Sequence, residues 1–378
     1  MPTQSLKTSP TLSRSSLARL VLLTLSAAFP LFGGPPETLQ SVATRDVKVI
    51  RRWTLAGDPR GVAIGADGTI YVGLAKPQAV IAINSGNGTV TKRIVLDSAE
   101  IASTKELVTL RTNAERTRLY IANGSDESAT IMSLPDMAVL REITMEGEAI
   151  RDALPDPRGR YLYLVGRRVH VFDKDGQTEL RTLNIDDPMA IATTSTGGAL
   201  AVVATEDFGN AKATSVALFD TTTWAEITRD PLQTDQHIDA AMFAPDDTAL
   251  VALNHEYLYE KPVTSRKASA VMTSGSNGTM RMKIDFGDLV NSDRVCLPES
   301  FGPQIATFLG NANTLAYAER RCSASGHFAG SSRRVSPASI YGISAYAIAH
   351  DPLANTIVAT DPAGFLTIYK VPRAAVAR

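Results

Sequence analysis

One short phrase recurs along this chain, and it limits the fold before any single residue is considered. A polar turn leads into a hydrophobic run of strand character, and a second such run follows. The phrase begins at Gly68-Thr-Ile-Tyr-Val-Gly and returns at Arg118-Leu-Tyr-Ile-Ala-Asn, Tyr161-Leu-Tyr-Leu-Val-Gly and Ala199-Leu-Ala-Val-Val-Ala. It appears again at Ala249-Leu-Val-Ala-Leu-Asn, Thr314-Leu-Ala-Tyr-Ala-Glu and Asn355-Thr-Ile-Val-Ala-Thr. Between Ile70 and Ile357 the mean interval is about 48 residues, a period at which one repeat is one supersecondary unit.

Each repeat holds more than one strand. Gly61-Val-Ala-Ile-Gly-Ala precedes the turn Asp67-Gly68, Ala79-Val-Ile-Ala-Ile-Asn follows the central phrase, and Gly86-Asn87-Gly88 leads into Thr89-Val-Thr-Lys-Arg-Ile-Val. Short β segments punctuated by Gly, Asn and Asp are the chemistry of tight hairpins. Four in a row make a meander, which buries both faces only by stacking on its neighbours around an axis. The expected fold is all-β: a single seven-bladed β-propeller of four-stranded antiparallel blades over residues 46–372. The last repeat has only three strands, and one is left over at the start, Asp46-Val-Lys-Val-Ile-Arg-Arg-Trp-Thr-Leu. Pairing this surplus strand with the last blade closes the ring and removes an exposed edge.

The N-terminus reads as a different kind of segment. Lys7, Arg14 and Arg19 precede an apolar stretch from Leu20 to Phe32, and Ser26-Ala27-Ala28 supplies small residues for a cut. That layout predicts a signal peptide over residues 1–28, then a linker over 29–45, with a tail over 373–378 beyond the repeats. The apolar run is short for a membrane span and contains Pro30, so no transmembrane segment is expected after cleavage. The expected location is periplasmic or extracellular. Export would also let Cys296 and Cys322, the two cysteines of the chain, form a local disulfide. The net charge is -1 with no long run of either sign, which argues against nucleic acid as a partner.

The strand phrases carry a resemblance. Tyr120-Ile-Ala-Asn and Tyr71-Val-Gly, each after a polar turn and before an Ile/Val strand, resemble the YVTN-type bacterial propeller repeats. Asp58-Pro-Arg-Gly-Val-Ala-Ile-Gly-Ala-Asp-Gly-Thr-Ile-Tyr-Val is similar to the related NHL and lactonase-type propellers. The resemblance implies fold more than function, because its motifs are the structural repeat itself. It leaves three readings: an exported non-catalytic scaffold that binds a protein partner or a small polar ligand, a lactonase-like hydrolase of sugar-acid lactones, and a structural heavy subunit of a quinone-dependent dehydrogenase.

Catalytic signatures are sparse. Gly342-Ile-Ser-Ala-Tyr fails the nucleophile elbow at its last position, and the chain has no Cys-x-x-Cys-His for covalent haem. No cofactor or metal site is expected, and a binding role is favoured over an enzymatic one. Asp186-Asp187 and Asp246-Asp247 fall where the repeat needs turns. In a propeller the first strand of each blade lines the channel. The expected ligand site is therefore the ring of strand entries at the channel mouth: Arg60, Glu106, Arg151, His237, Asp239, Gln304 and Tyr346. A hydrolase would use Arg60, Glu106, Arg151 and His237 of that ring to polarise a carbonyl and activate water.

Overall fold

The computed structural model divides into two compact units, residues 1–38 and 39–378. It describes residues 48–75, 77–96, 108–123, 127–207, 212–231, 238–243, 247, 249–253, 257–266, 269–272, 279–283, 304, 306–308, 314–319, 339–361 and 364–371, all in the second unit. Cys296, Cys322, Glu106 and His237 lie outside the described residues.

The described secondary structure is β throughout, without helices. After an initial strand β1 (Val49–Thr54), the chain makes successive meanders. The first sheet contains β2 (Pro59–Ile64), β3 (Ile70–Ala75), β4 (Gln78–Ile83) and β5 (Val90–Val95). The second contains β6 (Val108–Thr112), β7 (Arg118–Asn123), β8 (Ser128–Ser133) and β9 (Val139–Thr144). The third contains β10 (Asp152–Pro155), β11 (Tyr161–Val165), β12 (Val169–Asp173) and β13 (Glu179–Leu183). In the fourth are β14 (Pro188–Thr193), β15 (Ala199–Asp207), β16 (Lys212–Asp220) and β17 (Glu226–Pro231). All four sheets are antiparallel in sequence order, and every central repeat phrase within them is a second strand.

Two sheets depart from the expected four antiparallel strands. The fifth has β18 (Ala240–Phe243), β19 (Ala249–Leu253), β20 (Tyr257–Arg266) and β21 (Ser269–Met272), and β22 (Thr279–Lys283) also pairs with β20. The sixth has β23 (Ala306–Phe308), β24 (Thr314–Glu319) and β25 (Ser339–Ser344), and its last pair is parallel. Residues 320–338 separate those two strands, a connection long enough for the crossover that a parallel neighbour requires. The seventh sheet joins the two ends of the repeat array. In it β26 (Ala347–Asp351), β27 (Thr356–Asp361) and β28 (Phe365–Lys370) continue into β1, with Trp53 opposite Leu366 and Thr54 opposite Phe365.

Strands β2, β3 and β4 are buried along their whole length, whereas β5 is largely exposed. Burial on both faces explains why the repeat phrases are continuous apolar runs rather than alternating ones. The cores lie between consecutive sheets. Tyr71 and Val80 of the first sheet pack with Leu119 and Met132 of the second. Tyr120 and Ile131 pack with Leu162 and Phe172 of the third, and Tyr163 and Val171 with Val202 and Phe219 of the fourth. Ala201 and Leu218 meet Ala241 and Phe243 of the fifth, and Val72 and Ile81 meet Val358 and Leu366 of the seventh.

Polar pins cross the same junctions. Arg160 donates from Nε to Asp156 Oδ2 at 2.8 Å and from Nη2 to Gly197 O at 2.5 Å and Thr221 Oγ1 at 3.1 Å. It thereby ties the third sheet to the fourth. Ser195 donates to Asp247 from both its backbone N (2.8 Å) and its Oγ (2.6 Å), which ties the fourth to the fifth. Asp187 and Asp247 both have positive φ (45° and 56°), as their turn positions require.

Candidate functional site

The inner strand of the first sheet is irregular. Its register with β3 shifts between Pro59 and Val62, a bulge that frees backbone groups from the ladder. Gln304 takes them up. Its Oε1 accepts the N–H of Val62 at 3.3 Å and of Leu110 at 2.9 Å, while Nε2 donates to Val62 O at 2.6 Å. One amide from the sixth sheet thus serves the inner strands of the first and second. Only glycine fits at position 61, because a Cβ there would run into the carbonyl oxygen of Val108 and stand 2.8 Å from Gln304 Oε1. Gln304 is 6 % exposed, so its role is to hold the inner strands together rather than to present itself to a ligand at the entry.

The other expected site residues divide into separate groups. Arg60 lies 4.5 Å from the Tyr346 ring centroid and donates to Asp58 Oδ2 from Nε (3.1 Å) and Nη2 (2.6 Å). Burial works against its charge, but Tyr346 and Asp58 outweigh burial and raise its pKa. Arg60 therefore stays cationic while packed beneath an aromatic ring, the geometry of a cation–π joint between first and seventh sheets. Arg151 pairs elsewhere, 3.8 Å from Asp187 and donating to Pro188 O at 3.3 Å. Asp239 is buried beside the start of β18. Of the described members of the expected ring, Arg60 and Tyr346 come together, Gln304 braces the inner strands, and Arg151 pairs at another junction.

A cavity of about 340 Å³ lies at the opposite end of the inner strands. Ile64, Thr112, Pro155 and Thr193, the last residues of β2, β6, β10 and β14, line it, together with His350 near the end of β26. Gln304 bounds it toward the entry side. Its ionisable lining among the described residues is Arg111, Arg116 and His350, and no carboxylate is among them. The acids stand behind the bases. Arg111 donates to both carboxylate oxygens of buried Asp152, at 3.2 and 3.0 Å. Arg116 Nη1 is 3.5 Å from Asp351 Oδ1, an ion-pair distance without hydrogen-bond geometry. His350 Nε2 is likewise buried without a hydrogen-bond partner among the described residues. Burial lowers the His350 pKa; Asp351 and Asn355 raise it, Arg116 lowers it, and the net direction is down, so the ring is neutral near pH 7.

Arg116 occupies an unusual place in the backbone. In the first five sheets a left-handed residue stands two positions before the second strand, and in the seventh Asn355 stands one position before it. Gly68, Gly159 and Gly197 fill that place in the first, third and fourth sheets, and Asp247 fills it in the fifth. The second sheet puts Arg116 there, at φ 56°. The left-handed region costs a long side chain about 1 kcal/mol relative to glycine, which makes the substitution of glycine by arginine a clue to use. The sequence reading missed Arg111, Arg116 and His350. The break in the glycine pattern at position 116 was the signal available.

Among the described residues no group of three or more His, Cys, Asp or Glu is placed to hold a metal, and no helix is long and apolar enough to cross a membrane. The arrangement offers fixed hydrogen-bond donors and an apolar wall, the features of a binding pocket.

No family model matches the chain, and no curated protein matches it either. Solved structures do. The Swd1 β-propeller domain of Myceliophteria thermophila aligns with a TM-score of 0.60 at 15% identity, covering 86% of this chain and 99% of that domain. Hydrazine synthase of Kuenenia stuttgartiensis aligns with a TM-score of 0.46 at 13% identity, over 59% of this chain and 67% of that one. The first of these, with the meander sheets, establishes a β-propeller fold.

Proposed function

We propose that this protein is an exported, non-catalytic binding scaffold of the YVTN and lactonase-like kind, a seven-bladed propeller closed by β1 within its last blade. The pairing of β1 with β28 and the core shared by the first and seventh sheets support the closure. The leader-like segment with Lys7, Arg14 and Arg19 supports export, and with export a Cys296–Cys322 disulfide. The observation that carries the binding role is the channel cavity, walled by inner-strand ends and supplied with donors from Arg111 and Arg116. The hydrolase alternative is weaker, because Arg60 is already committed to Asp58 and Tyr346.

The test is native mass spectrometry of protein purified from its own source, for small molecules retained in the fold. Ala114 lines the cavity from an exposed turn, so Ala114→Trp closes the mouth without disturbing the core. A ligand held by the wild type and missing from A114W supports the reading. Equal retention by both proteins, or no retained molecule, overturns it.

A further inference from the structure

Three features of the cavity point the same way: its described ionisable lining is wholly basic, two buried nitrogens in it lack hydrogen-bond partners, and one of its arginines sits where its sister hairpins use glycine or aspartate. We propose that the cavity takes a small organic acid, with its carboxylate on Arg116 and His350 and its carbon body against Leu154, Pro157 and Ala349. This rests on the reading of the cavity as the ligand site.

A carboxylate has the geometry to accept from an arginine nitrogen and an imidazole nitrogen at once. Arg116 Nη1 and His350 Nε2 are the two buried atoms in this cavity that no described group satisfies by hydrogen bonding. Buried polar atoms are normally hydrogen-bonded, so two that lack a hydrogen bond among the described residues at one cavity mark where an acceptor fits. Position 116 strengthens the inference: a glycine would satisfy the turn as well as it does in the first, third and fourth sheets, yet an arginine is held there with its guanidinium at the cavity. Leu154, Pro157 and Ala349 give the same cavity a part-exposed apolar lining. An inorganic anion would leave that surface unused, whereas an organic acid covers it.

Proton uptake should accompany binding. His350 faces Arg116, Asp351 and Asn355. In the empty site burial and Arg116 keep it neutral; a bound carboxylate adds a negative charge and draws a proton onto the ring. Affinity should then rise as pH falls.

Calorimetric titration with benzoate tests this, with benzamide and inorganic phosphate as controls, on the full chain and its A114W, Arg116→Gly and His350→Leu variants. Expected are benzoate binding to the wild type that tightens from about pH 8 to about pH 6, and a loss of about tenfold or more in R116G. H350L should bind with little pH dependence, and A114W should not bind. Circular dichroism checks that each variant is folded, and H350L keeps the test valid if R116G is not. Benzamide or phosphate binding as well as benzoate overturns the proposal, as does benzoate binding indifferent to both R116G and H350L, or no benzoate binding at all. If A114W still loses a native ligand while benzoate fails, the ligand class is wrong and the cavity reading stands. If A114W loses nothing, both fall.

Discussion

Gln304 and Val62, 242 positions apart, exchange two hydrogen bonds through a single side-chain amide, which accepts from Val62 N at 3.3 Å and donates to Val62 O at 2.6 Å. The same Oε1 accepts from Leu110 N at 2.9 Å. Replacing the amide strands three buried backbone groups. Each unsatisfied group costs about 1–3 kcal/mol, so Gln304→Leu should destabilise by roughly 3 kcal/mol after partial relaxation. The midpoint of urea unfolding measures it. A shift within about 0.5 kcal/mol, the range of an ordinary surface position, would show that the brace carries no weight.

The third and fourth sheets should depend on the shape of Arg160 as well as its charge. Its guanidinium reaches Asp156, Gly197 O and Thr221 Oγ1 together, and the Asp156 side chain has no exposed surface. The hydrogen bond to Asp156 is the main reason the Arg160 pKa is raised. An ammonium cannot reproduce that fork. Arg160→Lys should cost about 1–2 kcal/mol and Arg160→Ala about 3 kcal/mol, because alanine leaves a buried carboxylate without a cation, held by the backbone N–H of position 160. Equal stabilities for the two variants would refute the geometric argument.

Two acid steps in stability are expected. His350 has its pKa lowered from 6.5, chiefly by burial, so its contribution is complete above about pH 6.5 and is lost as pH falls through the lower folded value. Glu148 and Glu179 flank the His170 ring, with Oε2 and Oε1 at 3.1 and 2.9 Å. Burial pushes both carboxyls up, but hydrogen bonds outweigh it, from His170 and the Arg167 N–H to Glu148 and from Thr182 and His170 to Glu179. Both pKa values are lowered from 4.5. Their contribution is present above about pH 4.5 and lost as pH falls through the folded values. Unfolding midpoints against pH should lose the first step in His350→Leu and shrink the second in Glu148→Gln.

Tyr163 is fully buried and its hydroxyl has no hydrogen-bond partner among the described residues, and burial pushes its pKa up. Removing an unsatisfied buried hydroxyl relieves a penalty, so Tyr163→Phe should be neutral or stabilising by up to ~1 kcal/mol. A loss of stability in thermal unfolding would mean that the hydroxyl does form a bond.

The second strands were legible because their apolar runs are set by local physics: Ile70–Ala75 and Arg118–Asn123 are buried between sheets and bounded by turns. The surplus strand at the start, largely exposed, was legible from the strand count instead, and β1 pairs with β28 in a four-stranded sheet. The parallel pairing of β24 with β25 was not, since a strand's pattern does not name its neighbour. The strand-entry ring was the site expected from the sequence, and the cavity at the other ends of the inner strands was not. Strand entries drew attention because they carry charges, and the turn from Asn113 to Arg116 drew none. Turn chemistry explains Asn113, whose Oδ1 accepts the N–H of Thr117 and Arg118, but it does not explain an arginine in the left-handed place. Gln304 shows the converse: a polar side chain at a strand entry can be wholly occupied by backbone that is distant in sequence, and no local pattern reveals that.

The pairing of β1 with β28 also has a bearing on time. Val49–Thr54 can find Phe365–Lys370 only after everything between them has been made. Contacts so remote in sequence slow the rate-limiting search, because the chain must be gathered before they reward it. Until then β1 waits without its partner strand, ready to pair with whatever edge is nearest. The interval between synthesis of the first strand and that of the last is when this protein is most exposed to aggregation.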